Sequence, residues 1–219
     1  GYSNSSSLFG ALKSKQIDVL LSNSIDDSQR KSLNNLSKNK KFKEGNSPFT
    51  ELSFISLKTS SYPLSNLNLR LALAKSLNRK LISEKVSYGL RKPSRSIIPP
   101  ILKKDNRELW PKYDYLEARR LLLKENYCNG NILKIPLTYR SNVPADKLIA
   151  LTWQEEIRNS LKDCINIELN GVESTTVYKN LSLGIYTAVI LDWTGAYSDP
   201  EAYLTPLLSC NEIFDGTCK

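Results

Sequence analysis

Apolar positions recur along this 219-residue chain with two periods, near two and near 3.6, and the switch between them marks out its elements. From Ile185 to Leu191 the side chains are mainly β-branched, aromatic or aliphatic, which predicts a strand buried on both faces of an α/β sheet. The pattern stops at Trp193. Thr194, Gly195, Ala196, Tyr197 and Ser198 mix small, hydroxylated and aromatic residues, and Asp199-Pro200 opens another helix with a cap followed by proline. Upstream, ILKIPLTYR (132–140) reads as a strand whose Pro136 argues for an edge position or a bulge, and INIEL (165–169) alternates like another. Helical spacing fills the gaps. Ile149, Trp153, Ile157 and Leu161 recur every four residues over 144–163, STTVYKNLSLG is a short helix, and 113–127 is a helix with Leu116, Leu121 and Leu122 inward and Asp114 suited to its first turn. Strand, helix, strand, helix, strand with short connections predicts an α/β fold of right-handed units on a mixed, mostly parallel sheet flanked by helices.

The first half is less regular. Residues 7–21 read as a short helix leading to an apolar strand, IDVLL at 17–21, and ELSFISLK at 51–58 is a strand built on Leu52, Phe54 and Ile55; both are available to the same sheet. Residues 22–50 are polar and form a surface excursion with at most one short helix at 26–37. Tyr62-Pro63 marks a turn. Leu67, Leu71, Ala74, Leu77, Leu81 and Ile82 give one broad apolar face to a single helix from Asn66 to Tyr88, stopped by Gly89. Arg70 projects towards that face, which predicts a paired, partly buried guanidinium. RKPSRSIIPPILKKD, with three prolines and no period, is an irregular loop longer than a simple connector needs.

Charge changes this picture little. Lys and Arg total 31 against 22 Asp and Glu, a formal +9, and the nearest thing to a cluster is Arg30, Lys31, Lys38, Lys40, Lys41 and Lys43. Phe42 is its only aromatic, so it lacks the stacking platform that single strands need; a solvated, lysine-biased surface is the plainer account, with a basic nucleic-acid-binding or adaptor domain kept as the alternative. No apolar run approaches the ~20 residues that span a bilayer. The opening GYSNSSSLFG has neither an initiator Met nor a signal-peptide layout, so the chain is expected to be part of something longer. Four cysteines with wide spacings and no histidine argue against zinc. Cys210 and Cys218 close a short polar loop that a bridge could staple, and Cys128 and Cys164 each follow a helix and precede a strand; four reduced thiols remain the other reading.

Without histidine, Ser-His and Cys-His nucleophile systems are excluded, and no Gly-rich phosphate loop is present. Asp192 and Asp199 are the best remaining carboxylate pair, but a cap and an ion pair account for them equally well. A binding site asks for less. Ligands in open α/β sheets sit outside the carboxyl ends of strands, where Trp193 and Tyr197 offer apolar faces with polar tips, Thr194 and Ser198 offer hydroxyls, and Gly195 lets a ligand approach the backbone. Asp199, together with Tyr139 and Arg140 at the end of the strand 132–140, completes the candidate ligand-binding set. The competing reading makes Trp193 a core anchor.

The order of several phrases carries a resemblance. NLNLRLALAKSLNRKLISEKVSYGLRKPSRSIIPP resembles the pattern "vRqAl.yAidR..ii..v..G...pa.s.iPp", and YDYLEARRLLLKENYCNG resembles "YDpekAkkLLkeAGy.nG". Residues 148–171 are similar to an "i.e.iq..l.kiGI.vel" helix and strand, LDWTGAYSDPEAYLTPLLSC to "W....dDP..fl..l..c", and IDVLLSNS more loosely to a "G.iDv" strand. These are phrases of the family 5 extracytoplasmic solute-binding proteins of ABC importers, of the oligopeptide- and dipeptide-binding type.

That resemblance implies a type II periplasmic-binding-protein-like lobe, with residues 1–219 forming most of the carboxy-terminal lobe of a two-lobed clamp whose amino-terminal lobe is absent from this sequence. It implies a monomeric binding protein, periplasmic or extracytoplasmic and membrane-associated in Gram-positive-like cells, with no catalysis, no cofactor and no metal, which closes by hinge motion on a small organic solute, peptide-like or other, and presents it to a membrane permease. The Cys210–Cys218 pair resembles a disulfide of dipeptide-type members. One departure matters. Peptide binders of the family carry an aspartate at the position of Ala196, where it meets the ligand's α-ammonium; its absence implies a solute other than an ordinary free-amino peptide, unless Asp192 or Asp199 substitutes.

Overall fold

The buried strand read at 185–191 is real and lies slightly later. In a computed structural model, which describes residues 4–21, 24–45, 50–102 and 107–209 with the backbone of 213–214 and 217–218, it spans Ala188–Trp193. The strands are β1 (Leu52–Leu57), β2 (Leu133–Arg140), β3 (Ile165–Val172) and β4 (Ala188–Trp193), in the sheet order β1-β4-β2-β3. β2 runs parallel to β3 and β4, and β1 is antiparallel to β4. This is an α/β fold with a mixed, mostly parallel sheet. A separate two-stranded ribbon joins β5 (Ile213–Phe214) to β6 (Thr217–Cys218). Cys210 lies outside the described residues, and with it the proposed Cys210–Cys218 bridge.

Both faces of β4 are covered, as its unbroken apolar run requires. Ala188 and Ile190 join the main core with β2, β3 and the helices α3 (Leu67–Ser76), α5 (Tyr115–Lys124) and α6 (Pro144–Ser160), while Val189 and Leu191 pack with Val177 of α7 (Ser174–Leu181). Trp153 of α6 is 2 % exposed, and its indole N–H donates to the Ser76 hydroxyl at 3.1 Å. A disulfide joins Cys128, after α5, to Cys164, before β3, with sulfurs 2.11 Å apart. α5 is capped by Asp114, whose carboxylate accepts the Glu117 N–H. Its buried face is Ala118, Leu121 and Leu122; Leu116, two residues before Ala118 and so on nearly the opposite side, is 64 % exposed rather than inward.

The chain divides into two compact units, one of residues 1–47 and 79–92 and the other of 48–78 and 93–219. The first holds α1 (Ser5–Lys13), α2 (Asp27–Lys38) and α4 (Arg79–Ser87). α2 begins in a capping box formed by Asp26 and Gln29, and Asp27 accepts ion pairs from Arg30 and Arg91, both at 3.2 Å. Residues 17–21 form no strand: Val19 is 77 % and Leu21 67 % exposed, so the apolar alternation has no core to enter.

The helix expected over 66–88 is two helices, α3 and α4, broken at Leu77 in extended conformation. Ser76 turns its hydroxyl back onto the Leu73 carbonyl, and Lys75 gives its carbonyl to the Asp114 N–H instead of to a following turn. Arg70 finds no acid among the described residues. It donates to the carbonyls of Leu64 and Ser65 at 2.7 and 3.0 Å. Pro136 sits in an interior strand, not at an edge, but pairing with β4 begins only at Leu137, so on that side the strand has no ladder for proline to interrupt.

Candidate functional site

β2 and β4 are parallel neighbours, so their carboxyl ends open on the same side of the sheet, where binding sites of such sheets form. Arg140 closes β2 there. Its side chain is 5 % exposed, and all five guanidinium N–H groups have partners. Nε and Nη2 donate to the Asp146 carboxylate at 2.7 and 3.0 Å; Nη1 and Nη2 donate to Asp192 at 3.0 and 2.8 Å; the second Nη1 hydrogen reaches the Tyr178 hydroxyl at 2.6 Å. One side chain thus ties the ends of β2 and β4 to the first turn of α6 and to α7. Burial alone would lower the pKa of this guanidinium, but the hydrogen bonds and charges of the two aspartates outweigh it and hold the pKa above its ordinary value. The cluster of one cation and two anions carries a formal charge of −1, with Asp146 buried and the Asp192 side chain 36 % exposed.

After β4 the chain turns out into solvent. Trp193 pairs with Leu52 in the sheet register, and its indole N–H donates to the Ala202 carbonyl at 2.8 Å. That bond draws α8 (Glu201–Leu208) back against the strand end. Gly195 is needed for the same docking: a Cβ there would lie 2.7 Å from the Tyr203 ring and 3.0 Å from the Ala202 methyl. Tyr203 cannot easily yield, being 1 % exposed with its hydroxyl donating to the Thr50 carbonyl at 2.6 Å. The carboxylate of Asp199 accepts the Glu201 N–H at 2.8 Å, but the N-cap of α8 is Pro200, without a side-chain cap, so the cap expected of Asp199 falls one residue outside the helix. Between these anchors Thr194, Ala196, Tyr197 and Ser198 are exposed, Tyr197 to 56 %.

The structure therefore brings Arg140 and Asp192 into contact and holds 193–199 as a short exposed turn fixed at both ends. Tyr139 turns elsewhere, onto β3: it is paired in register with Gly171, where a Cβ would come within 2.8 Å of its hydroxyl. It packs against the main core, part-buried. Sequence reasoning missed Asp146, Tyr178 and Tyr203. An acid in the first turn of a helix that follows a lone arginine was a usable signal for Asp146; nothing local marked the two tyrosines. Among the described residues no group of three or more His, Cys, Asp or Glu could hold a metal ion.

Residues 2–215 match the family model described as bacterial extracellular solute-binding proteins, family 5 Middle. Heme-binding protein A of Haemophilus influenzae is 29 % identical over 172 residues, covering 74 % of this chain and 30 % of that protein. Oligopeptide-binding protein OppA of Bacillus subtilis is 26 % identical over 169 residues, covering 72 % and 30 %. Among solved structures, H. influenzae OppA in complex with RPPGFSPFR has the same fold, with a TM-score of 0.75 at 21 % identity over 94 % of this chain and 40 % of that one. The chain thus spans about a third of the length of its curated relatives. The fold and a match across nearly every residue agree, and this chain belongs to the family 5 extracellular solute-binding proteins.

Proposed function

We propose that the chain is most of the carboxy-terminal lobe of a monomeric, extracytoplasmic substrate-binding component of an ABC importer. Its turn 194–199 forms one wall of an interlobe cleft that closes on a small organic solute and hands it to a membrane permease. The observation that carries this reading is the exposed turn past the end of β4, fixed by the Trp193–Ala202 bond and the Gly195–Tyr203 contact, with Ala196 and Tyr197 left facing solvent. Tyr197 supplies a ring to pack on a solute, Thr194 a hydroxyl, and Arg140 holds Asp192 at the floor of the same strand ends.

Ala196 sets the substrate class. It offers a methyl where, by resemblance, peptide binders place an acid, and both rival acids are engaged: Asp199 accepts the Glu201 N–H and Asp192 is held by Arg140. A buried ammonium facing this turn would lack a dedicated partner, which costs roughly 3–5 kcal/mol. The solute is therefore amine-blocked or lacks an α-ammonium, unless Asp192, whose cluster keeps a formal charge of −1, or the exposed Asp199 substitutes. Calorimetry of the full-length protein with a free-amino dipeptide and its N-acetylated form tests this. The blocked form should bind at least as tightly, and Ala196→Asp should raise affinity for the free amine roughly 100-fold or more. Micromolar binding of unmodified peptides, with Ala196 lining the occupied site, refutes it.

A further inference from the structure

The formal charge of +9 is not spread over the molecule. The unit of residues 1–47 and 79–92 holds 13 Lys and Arg against 5 Asp and Glu, a net +8; the other unit holds 18 against 17, a net +1. Ten of those 13 cations are lysines, at 13, 15, 31, 38, 40, 41, 43, 80, 85 and 92, and every one is exposed. One of the few acids, Asp27, is taken up by Arg30 and Arg91. Helix C-termini account for Lys13, Lys38 and Lys85, which sit in the last turns of α1, α2 and α4, but not for the rest.

Geometry concentrates part of this charge. Lys13, Lys15 and Lys41 line a half-open hollow of about 370 Å³ together with Leu36 and Phe42. The same unit exposes Val19 and Leu21, and the ammonium of Lys31 lies over the ring of Tyr88, 4.8 Å from its centre and half exposed. Compact ammonium charges beside exposed aliphatic side chains match an anionic lipid surface, whose headgroups offer diffuse negative charge above an apolar layer. A nucleic-acid face asks instead for arginine forks and stacking rings, whereas two of the three arginines here are bonded to Asp27.

We propose that this lysine-rich unit is a membrane-docking surface that holds the protein against anionic phospholipid headgroups, independently of the solute site. At roughly fivefold in affinity per lysine near such a surface, a handful of these side chains suffices for reversible association. The test is flotation of the full-length protein with phosphatidylcholine vesicles containing about a third phosphatidylglycerol, against phosphatidylcholine alone. Binding is expected only to the anionic vesicles, should fall steeply between about 50 and 200 mM salt, and should resist millimolar inorganic phosphate. Lys13→Gln, Lys15→Gln and Lys41→Gln together should weaken it roughly 100-fold, while Lys134→Gln, Lys147→Gln and Lys179→Gln, exposed lysines of the other unit, should leave it unchanged. Equal binding to neutral vesicles, an unaffected first triple variant, displacement by free phosphate, or tighter binding to a duplex or single-stranded oligonucleotide at the same salt overturns the proposal.

Discussion

Replacing Arg140 with Met keeps most of the stem's volume and removes all five donors, so the outcome depends on which acids are stranded. Asp192, with 36 % of its side chain exposed, can recover water and loses little. Asp146 cannot. Its side chain is 4 % exposed, and without the Arg140 side chain it keeps, among the described residues, only a 3.3 Å bond from the backbone N–H of residue 140. Breaking a buried pair by removing one partner costs about 3–5 kcal/mol, a large part of the 5–15 kcal/mol that stabilises a typical domain. Urea titration at neutral pH, followed by tryptophan fluorescence and far-UV circular dichroism, should therefore show Arg140→Met destabilised by that amount, and Asp192→Asn by only about 1–2 kcal/mol. Adding Asp146→Leu to Arg140→Met should recover most of the loss, because an apolar pair of similar volume replaces a buried ion pair at little net cost. A cost below about 1 kcal/mol for Arg140→Met, or simply additive costs in the double variant, would refute the stranded-charge reasoning.

Three further outcomes follow from the same geometry. Gly195→Ala should destabilise by about 1–3 kcal/mol in the same titration, since its Cβ would meet the fixed ring of Tyr203 at 2.7 Å; an unchanged midpoint would mean that α8 shifts freely. Losing the Cys128–Cys164 bridge, which closes a 36-residue separation, should cost about 4 kcal/mol on chain-entropy grounds, read as the difference between oxidised protein and Cys128→Ser/Cys164→Ser. The Tyr127 hydroxyl is pushed up to about 12 by burial first and by its hydrogen bond with Tyr62 second. Because the folded-state value is the higher one, this stability is complete below about pH 10 and declines by about 2–3 kcal/mol as pH rises to about 12. Denaturation midpoints between those limits should flatten in Tyr127→Phe.

Elements whose sequence signal comes from their own side chains were legible. The two apolar faces of β4, the fours of Ile149, Trp153, Ile157 and Leu161, and the cap at Asp114 each report a local requirement that the fold satisfies. Where reading failed, a distant partner decided the matter. The helix at 66–88 breaks because Lys75 and Ser76 bond to Asp114 and Leu73, and Trp153 reaches Ser76 from 77 residues away. Pro136 is tolerated inside the sheet because β4 meets β2 over only two residue pairs, a matter of strand length that no pattern within β2 encodes.

The candidate site shows why composition could not separate packing from binding. Glycine, tryptophan and aspartate past a strand end suit a ligand, yet here Gly195 admits Tyr203, Trp193 bonds Ala202 and Asp199 accepts the Glu201 N–H. Each of the three is spent on fixing the turn. The groups that remain unspent, the Tyr197 ring, the Ala196 methyl and the hydroxyls of Thr194 and Ser198, are the ones that the proposed cleft would offer to a solute, so specificity has to be sought in what the turn leaves over. An alanine is then more informative than a charged residue would be. It can be lost from packing at almost no cost, and if Ala196→Asp alters solute choice while leaving stability unchanged, the turn is a binding wall; if stability falls and solute choice does not, it is packing.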